Sequence, residues 1–115
     1  QELEMFLGMT QGDANAIGNS RGTNEASKLA GDAILWGNAI FVQNPEFGVS
    51  GFDALPAGNR STSSDVNIGD VTDYWCLAPD SIDGQYVRSL WGSPQISRWV
   101  TSINYLGYSI RCIKD

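Results

Sequence analysis

The sequence predicts an α+β, β-rich fold in which one N-terminal helix precedes an antiparallel meander of strands. Three observations carry that expectation. Thirteen Gly, four Trp and four Tyr in 115 residues favour tight turns and aromatic-filled strands over long helices. Apolar residues make up 42% and charged residues 17%, which suits a globular chain rather than a disordered one. Beyond position 60, short apolar segments are separated by Gly, Pro, Asn and Asp at hairpin spacing. The length suits one domain, residues 1–115, whose folding removes roughly 65% of the unfolded chain's surface from water.

The elements are read in chain order. Leu3, Met5, Phe6 and Leu7, with Glu2 and Glu4 between them, suit the last two turns of a helix stopped at Gly8. The opening Gln1–Glu4 has neither a cap nor a start methionine, so the chain is expected to be a piece of a longer protein that also carried a signal. Residues 8–27, rich in Gly, Asn, Ser and Thr, read as a long loop. Asn24 to Leu29 holds one helical turn. Residues 33–42 form an apolar run with Trp36 and Phe41, expected to be extended and to line the core.

Asn44, Pro45 and Gly48 then mark turns, and Phe52 to Leu55 is a short strand stopped by Pro56. Residues 59–65 read as a polar loop. Strands are expected over 74–77, 85–91, 95–103 and 108–113, with turns at Pro79-Asp80, Gly92-Ser93-Pro94 and Asn104. Their connections are short, and parallel crossovers need a dozen or more residues, so the pairing is antiparallel.

Composition also limits function. The formal charge is −6, and the seven basic residues (Arg21, Lys28, Arg60, Arg88, Arg98, Arg111, Lys114) are scattered, so nucleic acid is not an expected partner. No apolar run approaches the roughly 20 residues that span a bilayer. There is no histidine, which removes Ser-His-Asp and Cys-His catalysis and His-based zinc sites. Two carboxylates could still act as a glycosidase pair at a separation of roughly 5–9.5 Å. Asp70 with Asp73, and Asp80 with Asp83, are near in sequence, but both pairs lie in turn-like stretches where Asp commonly caps the backbone.

No enzyme activity, cofactor or metal is expected. The stretch Asp80 to Gln85 offers oxygen ligands without EF-hand spacing, and reads more simply as a solvated turn. Cys76 and Cys112 are either two buried thiols or one disulfide. On neighbouring strands a bridge would close a loop of about 36 residues, worth roughly 3–4 kcal/mol.

Aromatic side chains supply the best binding chemistry. Strand alternation puts Tyr86, Arg88 and Leu90 on one face and Gln85, Val87, Ser89 and Trp91 on the other. In the next strand Ile96, Arg98 and Val100 oppose Gln95, Ser97, Trp99 and Thr101. Gln85, Trp91, Gln95, Ser97 and Trp99 are the candidate ligand-binding residues, forming a platform for a sugar or a protein partner. The plainer alternative packs both tryptophans into the core or under a loop. Arg88, Arg98 and Arg111 recur on successive strands. They suit guanidinium groups that stack on aromatics and bond loop carbonyls, or alternatively a site for a ligand carboxylate.

Several segments carry a family resemblance. Gly107 to Asp115 (GYSIRCIKD) resembles the closing "GFSVRCVKD" of the Fibrobacter succinogenes major paralogous domain. Gln1 to Gly8 resembles that family's "EWxxLxxYLG" helix, Arg21 to Leu29 its "RGTNEGSKLK", and Ser50 to Arg60 its "SGFSALPGGYR". Tyr86 to Leu90 is similar to "WYRYL", and Ile96 to Arg98 to "VYR".

The resemblance implies a secreted or cell-surface bacterial module with a C-type-lectin-like fold. The sugar-binding triplets "EPN" and "WND" of C-type lectins do not occur here. The family's first strand, near "CPSGWHVPTDAEW", is also missing, and where the family has "YWWSSTE" this chain has Tyr74 to Asp80. A closing strand that lacks that neighbour would present an unpaired edge. Cys76 would then be a new partner for Cys112. The expected function is a non-catalytic binding or adhesion module recognising a glycan or protein. The alternative is a structural subunit that self-associates through the open edge into an extracellular fibre or coat.

Overall fold

The computed structural model describes residues 1–37, 39–76, 84–101 and 105–112. It is a small, strand-rich α+β domain with an antiparallel sheet, but the described residues hold three short α-helices rather than one. Helix α1 (Glu2–Phe6) is followed by Gly8 at φ 114°, and Lys28 Nζ donates to the Leu7 carbonyl at 2.7 Å. Its orientation departs from the amphipathic expectation. Phe6 is 85% exposed, while the buried helical residue is Glu4, 4% exposed. Two arginines draw that carboxylate inward, as described below.

The stretch read as a long loop contains α2 (Gln11–Asn15) and strand β1 (Gly18–Arg21). Thr10 starts α2: its Oγ1 accepts from the Asp13 N–H at 3.1 Å and donates to the Asp13 carboxylate at 2.9 Å, a capping pair hidden by the Gly- and Asn-rich composition. Helix α3 (Glu25–Leu29) confirms the helical turn and buries Ala26 and Leu29. It is tied to the turn at residues 92–95 by the Ala26 N–H donating to the Pro94 carbonyl at 2.9 Å.

The described residues of the 33–42 run, 33–37 and 39–42, are not extended. They form turns and the 3-10 turn Ile40–Gln43, with Gly37 at φ 56°, a conformation that breaks a strand. Trp36 and Phe41 still line the core, with ring centres 4.8 Å apart at 73°, and Trp36 Nε1 donates to the Ala54 carbonyl at 3.1 Å. Residues 52–55 are likewise no strand: Ala54 makes one isolated bridge to Ala30. The polar loop expected after Gly58 is instead the miniature hairpin β2 (Asn59–Arg60) and β3 (Asp65–Val66). Gly58 is required at its entry, since a Cβ there would lie 2.3 Å from the Val66 carbonyl oxygen.

The principal sheet has the order β1-β6-β5-β4, with β4 (Thr72–Cys76), β5 (Gln85–Leu90) and β6 (Ile96–Thr101) forming the antiparallel meander. Arg88 stands opposite both Tyr74 and Arg98, and Ser89 opposite both Asp73 and Ser97. Each face is therefore continuous across the three strands. The inner face, with Leu90 and Ile96, packs on the core of Leu7, Met9, Ala26, Leu29, Trp36 and Phe41.

Over its described residues, 107–112, the final segment is not the continuous strand expected from 108 to 113. Gly107 bridges Arg60 antiparallel and Ser109 bridges Tyr74 parallel, so the segment changes partner after one residue and builds no ladder. The Trp75 N–H donates to Ser109 and the Ser109 N–H to Asp73, which occupies the outer edge of β4. Leu77, Asn104 and Ile113, like the turn at residues 79–80, lie outside the described residues.

Cys76 and Cys112 are free thiols, so the bridge considered from sequence is not formed. Cys76 follows Tyr74 by two residues, on the inner face. Cys112 lies three beyond Ser109, the bridge partner of Tyr74, in a stretch that forms no strand. Burial raises the Cys76 thiol above its ordinary range. Among the described residues no helix is long and apolar enough to cross a membrane.

Candidate functional site

On the inner face the charges converge. Arg21 Nη1 and Nη2 donate to the two Glu4 oxygens at 2.9 and 3.2 Å, and Arg88 Nε donates to Oε1 at 2.9 Å. Burial alone would raise the Glu4 carboxyl, but the hydrogen bonds from Arg21 and the charges of Arg88 and Arg21 hold it below the usual carboxylate range. Arg98 donates from Nη1 to the carbonyls of Ala14 and Asn15, both at 3.0 Å, and lies 4.2 Å from the Tyr86 ring centre. Desolvation, then the nearby charge of Arg88, lowers the Arg98 pKa from its ordinary value.

Arg111 sits 4.4 Å from the ring centre of Phe52. The recurrent arginines thus stack on aromatics, bond carbonyls, or meet a carboxylate of their own chain. Among the described residues Arg88 Nη1 and Arg98 Nε are buried without a hydrogen-bond partner.

The outer face of the same sheet is different. It carries a cleft of about 220 Å³ whose floor is Asp73, Ser89, Ser97 and Trp99, with Trp91 on one side. Asn59 of β2 and the turn residues Asn67 and Val71 supply another wall, and Asn19 of β1 a third. A polar relay organises the floor. Trp99 Nε1 donates to Ser89 Oγ at 2.9 Å, and Ser89 Oγ donates through a short bond to Asp73 Oδ1. Asn59 Nδ2 donates to the other carboxylate oxygen at 2.7 Å, and Ser97 Oγ donates to the Asn19 carbonyl at 2.8 Å. The Asp73 carboxylate is thereby fixed from both sides.

Trp99 is braced from behind. Tyr108, delivered by the closing segment, packs edge-on against Trp99 at 5.7 Å and Trp75 at 4.6 Å. Burial, with the charge of Asp73, raises the Tyr108 hydroxyl above its ordinary range. Trp91 has no such packing and is 65% exposed.

Of the five residues singled out from sequence, Trp91, Ser97 and Trp99 line the cleft. Gln85 lies at the far end of β5, exposed and opposite Thr101, and Gln95 turns its amide toward the Gly22 carbonyl at 3.4 Å; neither lines it. Sequence reasoning missed Asn19, Asn59 and Asn67, which come from three separate segments. Ser89 was legible as sharing a face with Trp91. Asp73 lines the cleft, whereas Asp70 in the preceding turn does not, so the two are not brought together there. Asp80 and Asp83 lie outside the described residues.

Among the described residues no group of three or more His, Cys, Asp or Glu side chains could hold a metal ion. The arrangement offers stacking surface, amide donors and acceptors, and one anchored carboxylate. No family model matches the chain, and no curated protein or solved structure matches it.

Proposed function

We propose that this chain is a non-catalytic, secreted or cell-surface binding module with a C-type-lectin-like fold, similar to the Fibrobacter succinogenes major paralogous domain, and that its outer-face cleft holds a glycan. The observation that carries the glycan reading is the pairing of Trp91 and Trp99 with Asp73, Asn19, Asn59 and Asn67 in one concavity. A sugar ring presents an apolar C–H face beside a fan of hydroxyls. Aromatic faces suit the first, and amides with a carboxylate suit the second. Recognition is by contact, without turnover.

The kinship is supported by convergence. Glu4, Arg21, Arg88 and Arg98 come from four separate segments that resemble the family's, and they meet or neighbour one another on the inner face. A glycan array on the wild type and a Trp91→Ala, Trp99→Ala double variant tests the binding role. Hits lost in the variant are expected; an array blank for both proteins overturns the glycan reading.

Self-assembly keeps one supporting observation. Alternation points the backbone groups of Tyr108 and Ile110 away from β4, no described strand pairs with them, and Ile110 is exposed, as befits an edge that recruits another chain. Sedimentation at rising concentration decides: polymers favour the fibre or coat subunit, and a constant monomer excludes it.

A further inference from the structure

We infer that the cleft takes a single sugar ring bearing no acidic group, and discriminates against uronic and sialic acids. This rests on the glycan reading and narrows it. Size comes first. At about 220 Å³ the cleft is smaller than the roughly 300–1,000 Å³ of sites that enclose drug-sized ligands, so it holds one ring rather than a length of polymer.

Charge comes second. Among the described residues Asp73 is the only acidic side chain lining the cleft, and no Lys or Arg lines it. Arg21, Arg88 and Arg98 are committed on the other face to Glu4, to backbone carbonyls and to the Tyr86 ring. An acidic sugar would bring its carboxylate toward Asp73 with no cation to compensate either charge. The net charge of −6 opposes its approach as well.

Neutral hydroxyls meet the opposite situation. An ionised carboxylate offers about four lone-pair sites, and Ser89 and Asn59 use two of those on Asp73. Asp73 is 3% exposed, so the remainder can accept from a ring hydroxyl that reaches the cleft floor, while the asparagine amides donate to and accept from its neighbours. Trp91, exposed and flat, covers the ring's apolar face.

The test titrates the intact chain with methyl glycosides of glucose, galactose, mannose and N-acetylglucosamine, the matching glucuronic and galacturonic acids, N-acetylneuraminic acid, and hexasaccharides of the neutral sugars. Saturation-transfer NMR and tryptophan fluorescence report binding. At least one neutral monosaccharide is expected to bind, with its acidic counterpart weaker by at least about tenfold at low salt. That gap should narrow in Asp73→Asn. Should Asp73→Asn not fold, the same narrowing is expected for the wild type in 0.5 M salt, where the Debye length falls to about 4 Å from about 30 Å at 0.01 M. Trp91→Ala should weaken both classes alike. Acidic sugars binding as well as neutral ones, or hexasaccharides binding where single rings do not, overturns this inference and leaves the glycan reading standing. No binding by any sugar in the set overturns both.

Discussion

The two faces of the sheet formed by β4, β5 and β6 carry comparable numbers of polar side chains and use them differently. On the inner face, Glu4, Arg21, Arg88 and Arg98 are turned toward one another, toward carbonyls and toward an aromatic ring, beneath a helical layer that excludes water. On the outer face Asp73, Ser89 and Trp99 are tied into a relay, yet the asparagines around them and the exposed ring of Trp91 keep capacity for another molecule. A polar cluster closed on itself holds a fold together. One left partly open, beside an aromatic surface, can recognise something.

The sharpest way to break that contrast is to disarm the inner face. Glu4→Gln leaves Arg21 and Arg88 buried without their anion and should lower stability by about 3–5 kcal/mol in urea unfolding. A loss below about 1 kcal/mol would mean the cluster is wetter than its geometry indicates. The same carboxylate sets an acid dependence. Its folded pKa lies below the ordinary value of 4.5, so its contribution is complete above that value and is lost as pH falls through the folded pKa. Wild-type stability should drop on acidification below about pH 4.5, and Glu4→Gln should show a shallower slope there.

Smaller effects belong to the outer face. Asp73→Ala strands Ser89 and Asn59 and should cost about 1–3 kcal/mol in the same assay, with loss of sugar binding. Trp91→Ala should change stability by no more than about 0.5 kcal/mol while weakening binding. A large stability loss there would place Trp91 in the packing rather than at a recognition surface. The mildest test concerns the thiols. Reductant should leave the unfolding midpoint unchanged, and iodoacetamide near pH 8 should modify exposed Cys112 well before half-buried Cys76.

The meander was legible because hairpin spacing and period-2 alternation are local signals. They put Trp91, Ser97 and Trp99 on one face and Arg88 and Arg98 on the other without any knowledge of what covered either. Glu4 was not legible: its neighbours Leu3, Met5 and Phe6 are the residues a helical pattern sends inward, and only arginines far along the chain reverse that choice. The 33–42 run misled for a related reason, because apolar content marks burial of Trp36 and Phe41 but not backbone shape. The cleft walls from Asn19, Asn59 and Asn67 depend on how β1, the small hairpin and the turn before β4 are brought together. Asparagine in a Gly- and Ser-rich stretch otherwise reads as turn chemistry.

The bond between Glu4 and Arg88 joins groups separated by 84 positions. In a growing chain Arg21, 17 positions on, can meet that glutamate early, but the second guanidinium arrives only with β5. Until then the inner-face cluster is incomplete. Completing that cluster is consequently a late event, because the long loop between Glu4 and Arg88 must close before the contact rewards it.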